Sequence, residues 1–225
     1  MDEYNPGTVF SSIDTHGRYA FGNQPLIAQW NMACFANTLL PLIDENSEKA
    51  VTKAQEVIND FPKNMNEAVM RVMCKKIGLD SSEKNSQELV KNFLNIMLDN
   101  KSDYTLSFRY LGESLKGKNE DLLKAQFQEH DRLSDWLLKW TKTLKSKNLN
   151  KKDVINMMDK TNPFFIPRNH LLEKIIDAAT KNNDFSQMKT LLKVFSNPYK
   201  EQPENETYSK PPKPNEIVKQ TFCGT

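Results

Sequence analysis

The sequence predicts an all-α protein, on three observations. Apolar residues recur at three- and four-residue spacing through most of the 225-residue chain, the pattern of one buried helix face. Glycine is scarce, with 7 residues, while Lys, Asn, Leu and Glu are abundant, a balance that favours helices over a turn-rich sheet protein. No segment reads as a strand and no internal repeat is present. A chain of this length can bury a core without disulfides or structural metal.

An irregular segment, residues 1–24, opens the chain, punctuated by Pro6, Gly7, Gly17 and Gly22, with Val9, Phe10, Tyr19 and Phe21 as apolar anchors. Helical periodicity then fills residues 25–196. Pro25 suits a first helical turn, where its missing N–H costs nothing. Leu26, Ile27, Trp30, Cys34, Phe35 and Leu39 share a face, and Pro41 is expected to end or kink the helix. Two amphipathic helices follow, Ser47 to Phe61 and Asn64 to Ile77. The polar run DSSEKNS is a loop, and a stripe of Leu89, Val90, Phe93, Leu94, Met97 and Leu98 comes after it. Further helices are expected from Asp103 to Leu115, from about Asn119 to Lys145 as one long element, from Asn150 to Lys160, and from Pro167 to about Thr180. The last begins near Asp184, where DFSQ has the spacing of a capping box. From residue 197 the chain carries Pro198, Pro203, Pro211, Pro212 and Pro214 among polar residues, an extended tail ending in FCGT.

Composition excludes several function classes. A formal charge of +2 offers no global electrostatic case for nucleic acid or an anionic membrane. No apolar run is read as approaching the roughly 18 residues of a membrane span, and no secretory leader is read at the acidic, polar N-terminus. The three cysteines, Cys34, Cys74 and Cys223, are widely spaced and odd in number, as in a reducing compartment. The expectation is a cytoplasmic protein without nucleic-acid or membrane partners.

The usual signatures of chemistry are missing. Neither GxGxxG nor GxxxxGK[ST] is present, and LKGKNE reads as a basic turn. There is no CxxC and no HExxH, so no metal site is assigned; His170 and Glu173, three apart on a helix, have no second pair beside them. Cys34 and Cys74 fall on apolar helix faces and read as small core residues, which leaves Cys223 as the redox candidate. Trp136 and Trp140, four apart, read as core packing. Two irregular phrases remain, DTHGRYAFGNQP at 14–25 and TNPFFIPRNH at 161–170. Each pairs an arginine with asparagine and proline and leads into a helix. Asp14, Gly17, Arg18, Asn23 and Gln24 in the first, and Asn162, Arg168 and Asn169 in the second, are the residues expected to satisfy loop backbone and hold these segments in shape. No catalytic, cofactor-binding or metal-binding residue is assigned.

Together the phrases MDEYNP, DTHGRYAFGNQPLIAQWN, DYTLSFRYL, TNPFFIPRNHLLEKI and KPPKPNEIVKQTFCGT resemble the selenoprotein O (SelO) family, in the family's order and over nearly the whole chain. The resemblance implies a protein-kinase-like fold that transfers AMP from ATP, with Mg²⁺, to Ser, Thr or Tyr hydroxyls of proteins. It also implies that this chain corresponds to the C-terminal, helical C-lobe half: 1–24 the end of an activation-segment-like region, 25–196 the C-lobe domain, 197–225 the tail. The family's ATP- and metal-binding groups fall upstream of MDEYNP. The isolated chain is therefore expected to bind no cofactor and to be inactive alone, its partners being the missing N-terminal half and protein substrates. The family's proposed disulfide between a C-terminal cysteine and the activation segment has no counterpart here, since 9–11 read Val9, Phe10 and Ser11. An exposed interface for the missing half is expected around Val9, Phe10, Tyr19 and Phe21. The competing expectation is a stand-alone helical binding module.

Overall fold

A computed structural model describes residues 1–222. Among them are nine α-helices: α1 (Gln24–Ile43), α2 (Ser47–Lys76), α3 (Lys84–Asn100), α4 (Tyr104–Leu115), α5 (Glu120–Lys124), α6 (His130–Ser146), α7 (Lys151–Thr161), α8 (Asn169–Asn182) and α9 (Ser186–Phe195). Two 3₁₀ turns, Phe21–Asn23 and Pro203–Ser209, accompany them. No sheet forms among the described residues; Glu3 and Asp103 make one isolated antiparallel bridge. The all-α expectation holds.

Three helix boundaries differ from the sequence reading. Pro41 lies inside α1 and Pro62 inside α2, so the two helices expected between Ser47 and Ile77 are one. A proline costs a helix one N–H bond and a clash with the preceding turn, which a 30-residue helix bound on both sides of the site absorbs. The long helix expected from Asn119 to Lys145 is instead broken into α5 and α6. The buried Asn100 side chain causes the break: its Oδ1 accepts from the backbone N–H groups of Gln128 and Glu129, both at 2.7 Å. Those donors belong to the connection just ahead of α6, and Asn100 reaches the first of them from 28 residues away.

The chain forms two compact units. One comprises Met1–Tyr4 and Val72–Lys219, the other Asn5–Arg71 and Gln220 onward. In the first, α4 packs on α5 and α7, and α3 packs on α6. Its centre is aromatic. Phe93 stacks on Trp136 with ring centroids 4.4 Å apart, meets Phe108 edge-on at 5.3 Å, and Trp136 stacks on Trp140 at 5.7 Å. Both buried indoles donate to carbonyls, Trp136 to Leu89 and Trp140 to Ile77, so neither leaves an unpaired N–H in the core. The tryptophan pair is thus core, as its spacing predicts. At the end of α2, Gly78 adopts φ +72°, and a Cβ there would lie 2.5 Å from Val154 Cγ1; glycine lets the chain turn directly against α7. A smaller apolar cluster joins Leu171 and Ile175 of α8 to Leu191 of α9, with Phe195 and Tyr208 against it.

The second unit holds the irregular segment, α1 and most of α2. Its buried apolar residues among those described are Ala20 and Ala50. None of the α1 residues is buried. Two sequence expectations are corrected here. Cys34 is exposed, not a core residue, because no described residue buries that face of α1. And the segment Phe21–Ile43, 23 residues, is long and apolar enough to cross a membrane by length and composition, where no such run was expected; Gln29, Asn31, Asn37 and Thr38 had masked it by interrupting the apolar string.

Candidate functional site

Two polar nodes hold the irregular segments, one in each unit. In the second unit, Asp14 organises the loop of DTHGRYAFGNQP. Its Oδ1 accepts from the Arg18 N–H and its Oδ2 from the Tyr19 N–H, both at 2.8 Å. One carboxylate thus satisfies two consecutive amides of the turn that follows it. Gly17 sits at φ +64°, where a glycine is unstrained, and its carbonyl accepts from Asn23 Nδ2 at 2.8 Å. Gln24 Nε2 donates to the Tyr19 carbonyl at 2.6 Å. The Arg18 guanidinium lies 4.6 Å above the Trp30 ring and 5.8 Å from that of Tyr19, a cation–π contact that ties the loop to α1. Backbone bonds from Gly22 to Pro6 and from Phe21 to Thr8 close the segment on itself. The C-terminal end joins it: the Ser12 N–H donates to the Thr221 carbonyl at 2.7 Å, and Thr221 Oγ1 donates to the Phe10 carbonyl at 2.9 Å. Cys223 lies outside the described residues.

In the first unit, Arg168 is the centre. Its side chain is fully buried and its Nη1 pairs with Asp2 and, at 2.7 Å, with Asp103 Oδ2, while Nε donates to the Ser209 carbonyl at 3.2 Å. Burial opposes the guanidinium charge, but the Asp103 and Asp2 carboxylates outweigh it and raise its pKa. Asp103 also caps α4 through the Leu106 N–H. The Asp2–Tyr4 segment is pinned beside it by bonds from Tyr4 N–H to Ser102 and from Tyr104 N–H to Asp2, and Tyr4 stacks on Tyr104 at 5.6 Å. One guanidinium thus ties together the N-terminal segment, the start of α4 and the tail.

Asn162 bridges a second cluster. Its Nδ2 donates to the Lys76 carbonyl at 2.8 Å and its Oδ1 accepts from Lys76 Nζ at 3.1 Å. The Lys76 ammonium lies 4.6 Å from the Phe108 ring and 5.4 Å from Tyr104; burial pulls its pKa down to about 8, and burial pushes Tyr104 up to about 12. Arg109 donates to the Asn162 carbonyl, pairs with Glu113 at 2.9 Å and Asp159 at 3.2 Å, and stacks 3.7 Å over Phe164. Lys116 completes the network with Glu113 and Asp159. Asn169, the first residue of α8, is exposed. His170 is buried, its pKa lowered by desolvation, while Glu173 is exposed, so the two form no ligand pair. Asp2, Lys76, Asp103, Glu113 and Asp159 carried no sequence signal as a group. Only Asp103, ahead of a helix, was readable as a cap.

The chemistry open to these nodes is that of latches. Both Asp14 oxygens accept amide protons, and the carboxylates of Asp2, Asp103, Glu113 and Asp159 face arginine or lysine. Each is engaged within the fold. Among the described residues no group of three His, Cys, Asp or Glu is placed to hold a metal ion. Among the described residues, the paired carboxylates named here do not fit an Mg²⁺–ATP site.

A helical protein whose buried ion pairs brace two loop segments defines a class of scaffold, without naming a chemistry. The comparison with known families does that. Residues 1–196 match the model of the protein adenylyltransferase SelO family, and the chain belongs to that family. It is similar along its whole length to proteins named protein nucleotidyltransferase YdiU: 47% identical to that of Maridesulfovibrio salexigens, 45% to that of Rhizobium etli and 40% to that of Bradyrhizobium diazoefficiens. It covers 45%, 45% and 46% of those proteins, so the chain spans about half the length of the curated relatives it matches.

Proposed function

We propose that this chain works as the C-terminal, C-lobe half of a kinase-like SelO protein adenylyltransferase. The observation that carries the reading is the match over the full chain to only 45% of the Maridesulfovibrio salexigens protein. In the assembled enzyme an acceptor Ser, Thr or Tyr oxygen attacks the α-phosphorus of ATP and pyrophosphate leaves. ATP and Mg²⁺ are assigned to the complementary half; in this chain the carboxylates at the braced nodes, Asp2, Asp103, Glu113 and Asp159, already face arginine or lysine. Residues 1–24 serve as the end of an activation segment, braced by Asp14, Arg18 and Asn23 and by the Arg168–Asp2 contact. Helices of residues 25–196 support that segment and the protein-substrate surface, and the tail carries Cys223 as a redox-sensitive thiol.

The test is transfer of label from α-labelled ATP to a protein acceptor with Mg²⁺ or Mn²⁺. The chain alone is expected to transfer none, and the chain mixed with the part of the Maridesulfovibrio salexigens protein it does not match is expected to transfer AMP. Transfer by the isolated chain overturns the reading. A second reading, a stand-alone binding module, is favoured by the self-contained core of the first unit. A folded chain that never restores transfer, yet captures a protein through that unit, is its signature.

A further inference from the structure

We infer that α1 is a docking surface, and that its occupant is the part of a SelO-type protein lying outside this chain. The inference rests on the two-part reading above and says where the parts meet.

The 20 residues of α1, QPLIAQWNMACFANTLLPLI, contain no Asp, Glu, Lys or Arg. At 100° per residue, Leu26 and Trp30 fall on one side and Phe35 and Leu42 on the opposite side, with Met32 on the flank between. A helix apolar all round belongs in the middle of a large core or in a membrane. Here it is not enclosed by a core: Leu26 is 66% exposed, Phe35 56% and Leu42 83%. A long bond of 3.4 Å from Gln29 Nε2 to the Ile58 carbonyl ties it to α2. Of the expected patch, Val9, Phe10 and Tyr19 are each about two-fifths to one-half exposed and Phe21 is partly buried, but α1 supplies the larger surface. Exposed apolar area on this scale marks an interface.

Two observations choose the occupant. Asn31 and Asn37 are exposed on the same helix; their amides find hydrogen-bond partners on a protein surface and none in the acyl interior of a bilayer. And more than half the length of each relative lies outside this chain, enough polypeptide to enclose a six-turn helix.

Cys34 makes the inference testable at the site itself. It is an exposed thiol on α1, whereas burial pushes the Cys74 thiol up to about 11, leaving it unreactive. The experiment co-expresses the full chain with the unmatched part of the Maridesulfovibrio salexigens protein and follows alkylation of Cys34 by N-ethylmaleimide, residue by residue, with peptide mass spectrometry. The two parts are expected to co-purify, with Cys34 alkylation slowed at least about tenfold. Phe35→Glu and Leu42→Glu are each expected to weaken the complex by at least about tenfold, as central apolar anchors do. Because both side chains are exposed, the variants should keep the helix content and melting of the chain alone. Lys181→Glu, on the exposed face of α8, should leave the complex intact. A complex that transfers AMP while Cys34 stays fully reactive overturns the docking surface and leaves the two-part reading standing. No complex at all overturns both. Protection of Cys34 by phosphatidylethanolamine–phosphatidylglycerol vesicles, or by self-association of the chain, with no protection by the complementary part, replaces the occupant and overturns the inference.

Discussion

The two units of this chain are built to different degrees of completion. The first has an aromatic centre at Phe93, Phe108, Trp136 and Trp140 and pairs its buried arginines with its own carboxylates. The second, of similar helical content, buries two alanines among its described apolar residues while Trp30, Phe35 and Leu42 face outward. The difference lies less in composition than in partners. Amphipathic helices such as α3 and α6 carry one apolar stripe each and can close on one another. A helix like α1, apolar on every side, needs neighbours all round and finds too few within this chain. Stability and association should therefore reside in different places: the first unit holds the fold, and the second awaits a surface.

The largest test of that contrast is Phe93→Ala. It empties the middle of the aromatic stack and is expected to cost about 3–5 kcal/mol in denaturant unfolding followed by the buried tryptophans. A loss below about 1 kcal/mol would mean the stack is not the core.

A smaller effect is expected from pH. The folded-state pKa of Lys76 is lowered to about 8 from an ordinary 10.5. Between those values the unfolded chain binds the proton that the folded one has released, so stability rises with pH across that window; below about pH 8 the cost of the buried charge is present in full. Relative to Lys76→Met, which carries no such cost, the wild-type chain should gain on the order of 2 kcal/mol between pH 7 and 10. Tyr104, raised to about 12, works in the opposite sense above about pH 10, equally in both proteins. Urea unfolding of the pair at both pH values checks this; a constant difference would show that Lys76 is not desolvated.

Phe35→Ala should do least, changing the stability of the isolated chain by no more than about 0.5 kcal/mol, as for a surface site. Measured by the same unfolding assay, a cost near that of Phe93→Ala would erase the distinction between the units.

Much of the fold was legible because its causes are local. Asn150 stands where a cap is needed, and its side chain accepts from the Lys152 N–H. The Trp136–Trp140 spacing alone puts both indoles on one helix face. The side-chain hydrogen bonds within DTHGRYAFGNQP are likewise local, each spanning six residues or fewer. Where the cause is distant the sequence was silent or misleading. The break before α6 depends on Asn100, and the Arg168 node joins residues 166 and 65 positions apart.

By itself, then, the sequence determined the helical class, the position of most helices and the family, because periodicity, caps and long motifs are written in neighbouring residues. Tertiary structure alone decided which charges are latched, that Pro62 is carried within one helix, that Cys34 is exposed, and that α1 lies open. Each of these depends on what else is packed against a residue, and that neighbour is set by the folded chain, not by the residues beside it.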